Sequence, residues 1–245
     1  NFATAAVPAA NSGTGTPVTG GVPYTNPTNV PSMMFGATSL DHVVQDTAKI
    51  RLSFDFSADT RAALTYAWFA NDSFNDTATY LRDGAGNPVW NGTVNIDGRS
   101  YNLVNQGVPR LAPTDGNTEN TLLGLTLNSR LSPAWRIELA ASDYRTPTDV
   151  SRTPTTGASG VQPGSAGGAG RISFGDGTGW RNFDARAIWK PAGGAHAATF
   201  GYHHDRYHIA SSQYNAVNWR DDGSVTTLRN AFEGDTRTDA LYAQD

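Results

Sequence analysis

Asp46-Thr47-Ala48-Lys49-Ile50-Arg51-Leu52-Ser53-Phe54-Asp55-Phe56-Ser57 alternates apolar and polar residues without a break. Side chains on a β-strand point to opposite faces in turn, so this stretch reads as a ribbon. Ala48, Ile50, Leu52, Phe54 and Phe56 make an apolar side; Lys49, Arg51, Ser53 and Asp55 make a polar one. Six further stretches carry the same alternation, near residues 61–71, 119–131, 134–145, 180–190, 195–207 and 235–245. Along 61–71 the apolar side is Ala62, Leu64, Tyr66, Trp68 and Ala70; along 119–131 it includes Leu123, Leu125 and Leu127. Trp135, Ile137, Leu139 and Ala141 continue it, then Phe183, Ala185, Ala187 and Trp189, then Ala198, Phe200 and Tyr202.

The connections decide between architectures. Ala58-Asp59-Thr60, Ser132-Pro133 and Pro191–Gly194 are tight turns, with Asp and Pro supplying local hydrogen bonding and a fixed backbone angle. Between them lie long segments, 72–118, 146–179 and 208–234, rich in Gly, Asn, Asp and Thr. A soluble sandwich shares the alternation, but loops this long are uncommon in compact domains. Tight turns at one rim and long loops at the other are the pattern of a transmembrane β-barrel, whose strands need about 9–11 residues to cross. The fold expected is all-β: an antiparallel section of such a barrel, about seven strands over residues 46–245. Residues 1–45 lack the alternation and read as an extracellular loop or a disordered segment. Seven strands do not close a bacterial barrel, and an open wall leaves two unpaired edges, so the expectation is a piece of a larger wall.

Composition narrows the function classes. The chain has 245 residues, net charge −4, 38% hydrophobic residues and no cysteine. Its mean hydropathy of −0.43 does not argue against a barrel, because the lumen face and loops are polar. No apolar run is long enough for a membrane helix. The absence of cysteine removes disulfides, thiol nucleophiles and thiolate metal sites. Without a basic block there is no electrostatic footprint for nucleic acid. Lys49 and Lys190 are the only lysines beside sixteen arginines, a bias that a lumen wall or a GC-rich genome would produce.

The run Asp235-Thr236-Arg237-Thr238-Asp239-Ala240-Leu241-Tyr242-Ala243-Gln244-Asp245 resembles a strand of the TonB-dependent outer-membrane receptors, in which a segment close to ALYAQDEW opens a mid-barrel strand. The Tyr214–Gly234 loop and the Asp46–Asn71 hairpin are similar to parts of that family too. The resemblance implies a mid-barrel section of an importer in the bacterial outer membrane, set in its lipid bilayer. It implies a large scarce cargo, typically a ferric siderophore, taken up without covalent chemistry: not an enzyme, and with no resident cofactor. The energy-coupling protein TonB would act only through a plug domain, for which residues 1–245 contain no counterpart. The alternatives are a soluble secreted β-rich binding or adhesion module, and a passive porin.

Among the loop residues, Trp90, Tyr101, Trp180, Tyr214, Trp219 and Arg220 suit cargo contact, since rings grip catecholate-like or sugar surfaces and guanidinium meets oxyanions. Each also fits a packing or rim role. His203-His204-Asp205-Arg206-Tyr207-His208 is dense in metal-ligand types. Strand geometry splits it, with His203 and Asp205 on one face and His204, Arg206 and His208 on the other, so no metal site is expected. Tyr202 and Tyr207 read as an aromatic girdle, with the histidines solvated beyond it. Gly164–Gly170 lacks the Lys-Ser/Thr of a phosphate loop, and residues 115–119 lack calcium-loop spacing. Asn95–Arg99 reads as a hairpin turn that extends the sheet outward.

Overall fold

The computed structural model describes residues 1–10, 12–157 and 160–245. Among these residues fifteen strands run in chain order: β1 (Phe2–Ala6), β2 (Thr16–Pro17), β3 (Val22–Thr25), β4 (Pro31–Ser57), β5 (Thr60–Thr79), β6 (Thr93–Ile96), β7 (Arg99–Asn102), β8 (Val104–Asn105), β9 (Val108–Pro109), β10 (Thr114–Arg130), β11 (Trp135–Pro154), β12 (Gly170–Phe174), β13 (Gly179–Trp189), β14 (Ala198–Ala216) and β15 (Val225–Gln244). No α-helix occurs among the described residues, and none is long and apolar enough to cross a membrane.

One antiparallel sheet dominates, and its long strands pair with their neighbours in sequence. The lanes run β4, β5, β10, β11, then β12 with β13, then β14 and β15. β12 and β13 share one lane: both lie between β11 and β14, separated only by Gly175-Asp176-Gly177-Thr178. That break is stitched to both neighbours. Thr146 and Thr178 exchange a backbone bond on one side, while the Thr178 hydroxyl and Ala210 bond on the other.

The strands outrun the stretches in which alternation is legible. β4 begins at Pro31 rather than Asp46, and β1 and β3 pair with it, so residues 1–45 are not a structureless loop. β5 continues to Thr79, β10 starts at Thr114, and β11 reaches Pro154. The third long loop shrinks most, because β14 extends to Ala216 and β15 starts at Val225. The physical reason is that the extensions have no face that is apolar along its whole length: polar residues dominate them, and their few buried side chains, such as Phe35 and Val150, pack locally into the loop-end clusters. Period-two apolarity is lost while ladder pairing continues. The Asn95–Arg99 hairpin forms, turning through Asp97 and Gly98 with φ of 49° and 80°, the left-handed pair a tight hairpin requires. It does not extend the main sheet, because β6 and β7 join β2 in a separate three-stranded sheet. The glycine-rich stretch 157–170 includes residues 158 and 159, which lie outside the described residues.

Buried side chains gather at the long-loop end. Met33, Phe35, Leu81, Val89, Val94 and Leu103 belong to one closed cluster, and Val150, Ile172 and Ala216 to a second. The middle of the sheet has no such core. Ile50, Leu64 and Leu125 are 60%, 42% and 50% exposed and Leu139 is half-buried, whereas Ala63, on the opposite face, is only 6% exposed. Among the described residues the first and last long strands of the sheet do not pair with each other. The outer edge of β4 beyond its pairing with β1, and the far edge of β15, have no strand partner among the described residues.

Candidate functional site

Cross-strand register assigns each residue to a face, because directly paired residues point the same way. The line Leu52–Leu64–Leu125–Ala141–Phe183 fixes one face, and its neighbours two residues away follow. Toward the tight turns this face carries Ile50 to Phe56, Ala62 to Ala70 at even positions, Leu123 to Leu127, Trp135 to Ala141 and Phe183 to Trp189 at odd ones. Phe200, Tyr202, Leu241 and Ala243 complete it. Within this band every side chain is aliphatic or aromatic except Ser129 beside a turn. Rings mark both margins: Phe54, Phe56, Trp135 and Trp189 toward the turns, Trp68, Phe183 and Tyr202 toward the loops.

The opposite face is charged at the same height. Asp55 pairs with Arg61 at 3.0 Å, Glu138 with Arg136 at 3.2 Å and Arg186 at 2.5 Å, and Asp184 with His203 at 2.8 Å. On this face Gly201 lies opposite Tyr242, and a methyl at Gly201 would sit 2.0 Å from the tyrosine ring. The ring covers the bare backbone, a device that pins the register of the β14–β15 pair.

Above the apolar band the same face turns polar abruptly. The first polar residues are Asp46 on β4, Asp72 on β5, Thr121 on β10, Asp143 on β11, Arg181 on β13, His204 on β14 and Asp239 on β15. They do not line up across the register. Thr121 stands opposite Trp68, Asp143 opposite Leu123, and His204 opposite Phe183. From Asp46 on β4 to Asp239 on β15 the boundary slips toward the turns by about one residue per lane on average, the β4–β5 step running the other way. That is roughly 3.4 Å along the strand for each ~4.8 Å across, so the strands incline about 35° to the normal of the band. Transmembrane barrel strands tilt about 35–45°.

The polar margin on β11–β15 is a network of shared carboxylates. Asp143 meets Arg145 at 2.6 Å and Arg181 at 3.4 Å. Asp235 meets Arg206 at 3.2 Å and His208 at 3.3 Å. Asp239 meets Arg237 at 2.6 Å, His204 at 2.8 Å and the Tyr202 hydroxyl at 2.7 Å. Sequence reading places these histidines and Arg206 on one strand face but not Arg145 and Arg181 beside them, whose signal is the point where alternation on the apolar side stops. No group of three or more His, Asp or Glu residues among those described could hold a metal ion.

Of the six loop candidates the structure brings Trp219 and Arg220 together and places the other four apart from them. Trp219 is fully enclosed, its indole N–H donating to the Gly164 carbonyl at 3.1 Å, while the exposed Arg220 lies over its ring at 4.9 Å. Tyr101 is 3% exposed in the first cluster, edge-on to Phe35. Neither ring is presented to solvent; each packs within the loop end. Tyr214 is half-buried, edge-on to Phe174, and Trp90 is half-buried in the loop between β5 and β10. Trp180 is exposed and stacks on Tyr144 with ring centres 3.9 Å apart. The loop end is tied to the wall by Arg152, which holds Asp222 through two bonds of 2.6 and 2.5 Å and also contacts Asn117 and Asp115. The Asp222 hydrogen bonds raise the Arg152 pKa against the opposing effect of burial, so this tether stays charged.

Tyr101 supplies a test of the packing assignment. Burial pushes its phenol pKa up, and its hydroxyl has no hydrogen-bond partner. Removing an orphaned buried hydroxyl relieves a desolvation cost. Tyr101→Phe is therefore expected to leave stability unchanged or raise it by up to about 1 kcal/mol, read from thermal or denaturant unfolding. A loss of 2 kcal/mol or more, on the order expected for a satisfied polar group, would contradict it.

Comparison of the chain with protein-family models, curated proteins and solved structures finds no match in any of the three.

Proposed function

We propose that the chain is a section of the wall of an outer-membrane β-barrel, with its apolar face against lipid and its charged face toward an aqueous lumen. One observation carries this reading: a band of uncovered, uncharged side chains crosses all seven lanes on one face, while ion pairs occupy the other face at the same height. No packed core covers the band, as a soluble sandwich would require. The inclination of its margin to the strands supports the reading independently, because tilt follows from closing a sheet into a barrel. The two unpaired edges support a wall that continues on both sides, since long exposed edges otherwise invite aggregation.

Within that reading the chain belongs to a TonB-dependent importer, on the strength of the resemblance of residues 235–245. The long-loop end would then form the vestibule for a large cargo such as a ferric siderophore, and coupling to TonB would pass through a plug outside residues 1–245. The Trp180–Tyr144 stack, with Trp180 exposed on the face opposite the apolar band, is the best-placed of the expected cargo contacts.

Carbonate extraction of membranes from cells expressing the full-length protein tests the wall. It should remain in the membrane pellet and disperse only with detergent; release as a detergent-free monomer would reject the reading. Loss of ferric-siderophore uptake on deleting the gene, with small-solute permeability unchanged, tests the importer. The reverse outcome would favour a porin.

A further inference from the structure

Two depressions of about 680 Å³ each lie one above the other on β11–β15. The lower one is in the apolar band, lined by Ile137, Leu139, Ala185, Ala187, Phe200 and Leu241. It exists because alanines fill the middle of β13 between bulkier neighbours. The upper one lies just past the polar margin and is lined by Arg145, Arg181, Arg206, His208 and Asp143, with Gly179 between Arg145 and His208 in the register. A side chain at Gly179 would collide with the Tyr144 carbonyl oxygen at 2.4 Å, so its place stays open.

Charge does not balance inside the upper depression. Three guanidiniums and an imidazole face one lining carboxylate, and Asp235 alongside serves only Arg206 and His208. Asp143 is held closely by Arg145 and more loosely by Arg181, leaving Arg181 the most available donor. All three arginines are more than half exposed. Guanidinium presents a planar fork of donors that matches phosphate oxygens.

We propose that this pair of depressions binds one phosphate-bearing lipid of the surrounding leaflet, with an acyl chain in the lower groove and the phosphate between Arg181, Arg206 and Arg145. The inference rests on the bilayer reading and adds a headgroup class and a position to it. An apolar groove alone would accept any chain; the cationic site directly above it on the same face selects the lipid by charge. A free phosphate would use the arginines but gain nothing from the groove.

The test is native mass spectrometry of the full-length protein released from micelles doped with phosphatidic acid or phosphatidylcholine of equal chain length. Phosphatidic acid should be retained at least about tenfold better. The R181Q/R206Q variant should lose that preference, while R61Q/R136Q, which removes charge from the opposite face, should keep it. Equal retention of both lipids by the wild type would overturn this inference and leave the bilayer reading standing. Displacement by millimolar inorganic phosphate would also overturn it, by assigning the site to a free anion. Retention of no lipid at all would overturn the bilayer reading with it.

Discussion

Leu125→Arg is expected to cost about 2–4 kcal/mol of stability in a bilayer, whereas Thr126→Arg, one residue along the same strand, should cost about 0–1 kcal/mol. Leu125 is half exposed at the centre of the apolar band, with Leu64 and Ala141 beside it. A guanidinium there must leave water for hydrocarbon, and from mid-band the side chain is poorly placed to reach either margin. Thr126 points to the opposite face, where its cross-strand partners are Ala63 and Ala140 and where Glu138 and Arg186 already interact nearby. The contrast isolates the medium from the strand, because both substitutions place the same guanidinium side chain on adjacent residues of one strand, and the larger increase in volume falls at Thr126, where the smaller cost is expected. Urea unfolding of the full-length protein from lipid vesicles reads both values. Equal costs at the two positions would mean that the faces meet the same surroundings.

Trp219→Ala is expected to loosen the long-loop end by about 3–5 kcal/mol, the usual range for deleting a fully buried large aromatic. The indole is completely enclosed, donates to Gly164 and supports Arg220. It also sits tightly against β12, since a methyl on Gly170 would approach its Cβ to 2.3 Å. Little nearby can collapse into the space, because Gly164 and Gly170 have no side chains to move. Amide hydrogen exchange should accelerate by roughly two to four orders of magnitude at residues 160–169 and 217–224. The rate in the middle of β10 and β11 should not change, because ladder pairing there is independent of the loops. Unchanged exchange in the loops, with altered cargo binding instead, would return Trp219 to the contact surface.

The fate of the loop aromatics marks the limit of what the residues reveal on their own. Trp180 and Trp219 both lie in polar, glycine-containing stretches, yet one is stacked at the surface and the other is enclosed. What separates them is contact with segments far along the chain, Gly164 for Trp219 and Tyr144 for Trp180. No local pattern encodes that. The middle of each strand was legible because one side of it is uniformly apolar, as in residues 46–57. The extensions were not. In Asp72-Ser73-Phe74-Asn75-Asp76-Thr77 almost every residue favours a turn, yet all six pair with β4 and most also with β10. Neighbouring strands impose the extended backbone there, overriding local preference. The meeting of the arginines at the polar margin was hidden for a different reason. They keep strand periodicity, and only the cross-strand register shows that Asp143, Arg181 and Arg206 fall on one line.

A nitroxide scan of β10 in the full-length protein, reconstituted in lipid vesicles, tests the wall most directly. Labels at positions 123 to 128 are read for collision with oxygen, which concentrates in hydrocarbon, and with a water-soluble nickel chelate. The result expected is an alternation of period two. Labels replacing Leu123, Leu125 and Leu127 should meet oxygen; those replacing Gly124, Thr126 and Asn128 should meet the chelate. Chelate contact at the leucine positions would mean that water borders the apolar band, and little collision with either reagent there would mean a dry protein interior; either result would contradict a lipid-facing wall.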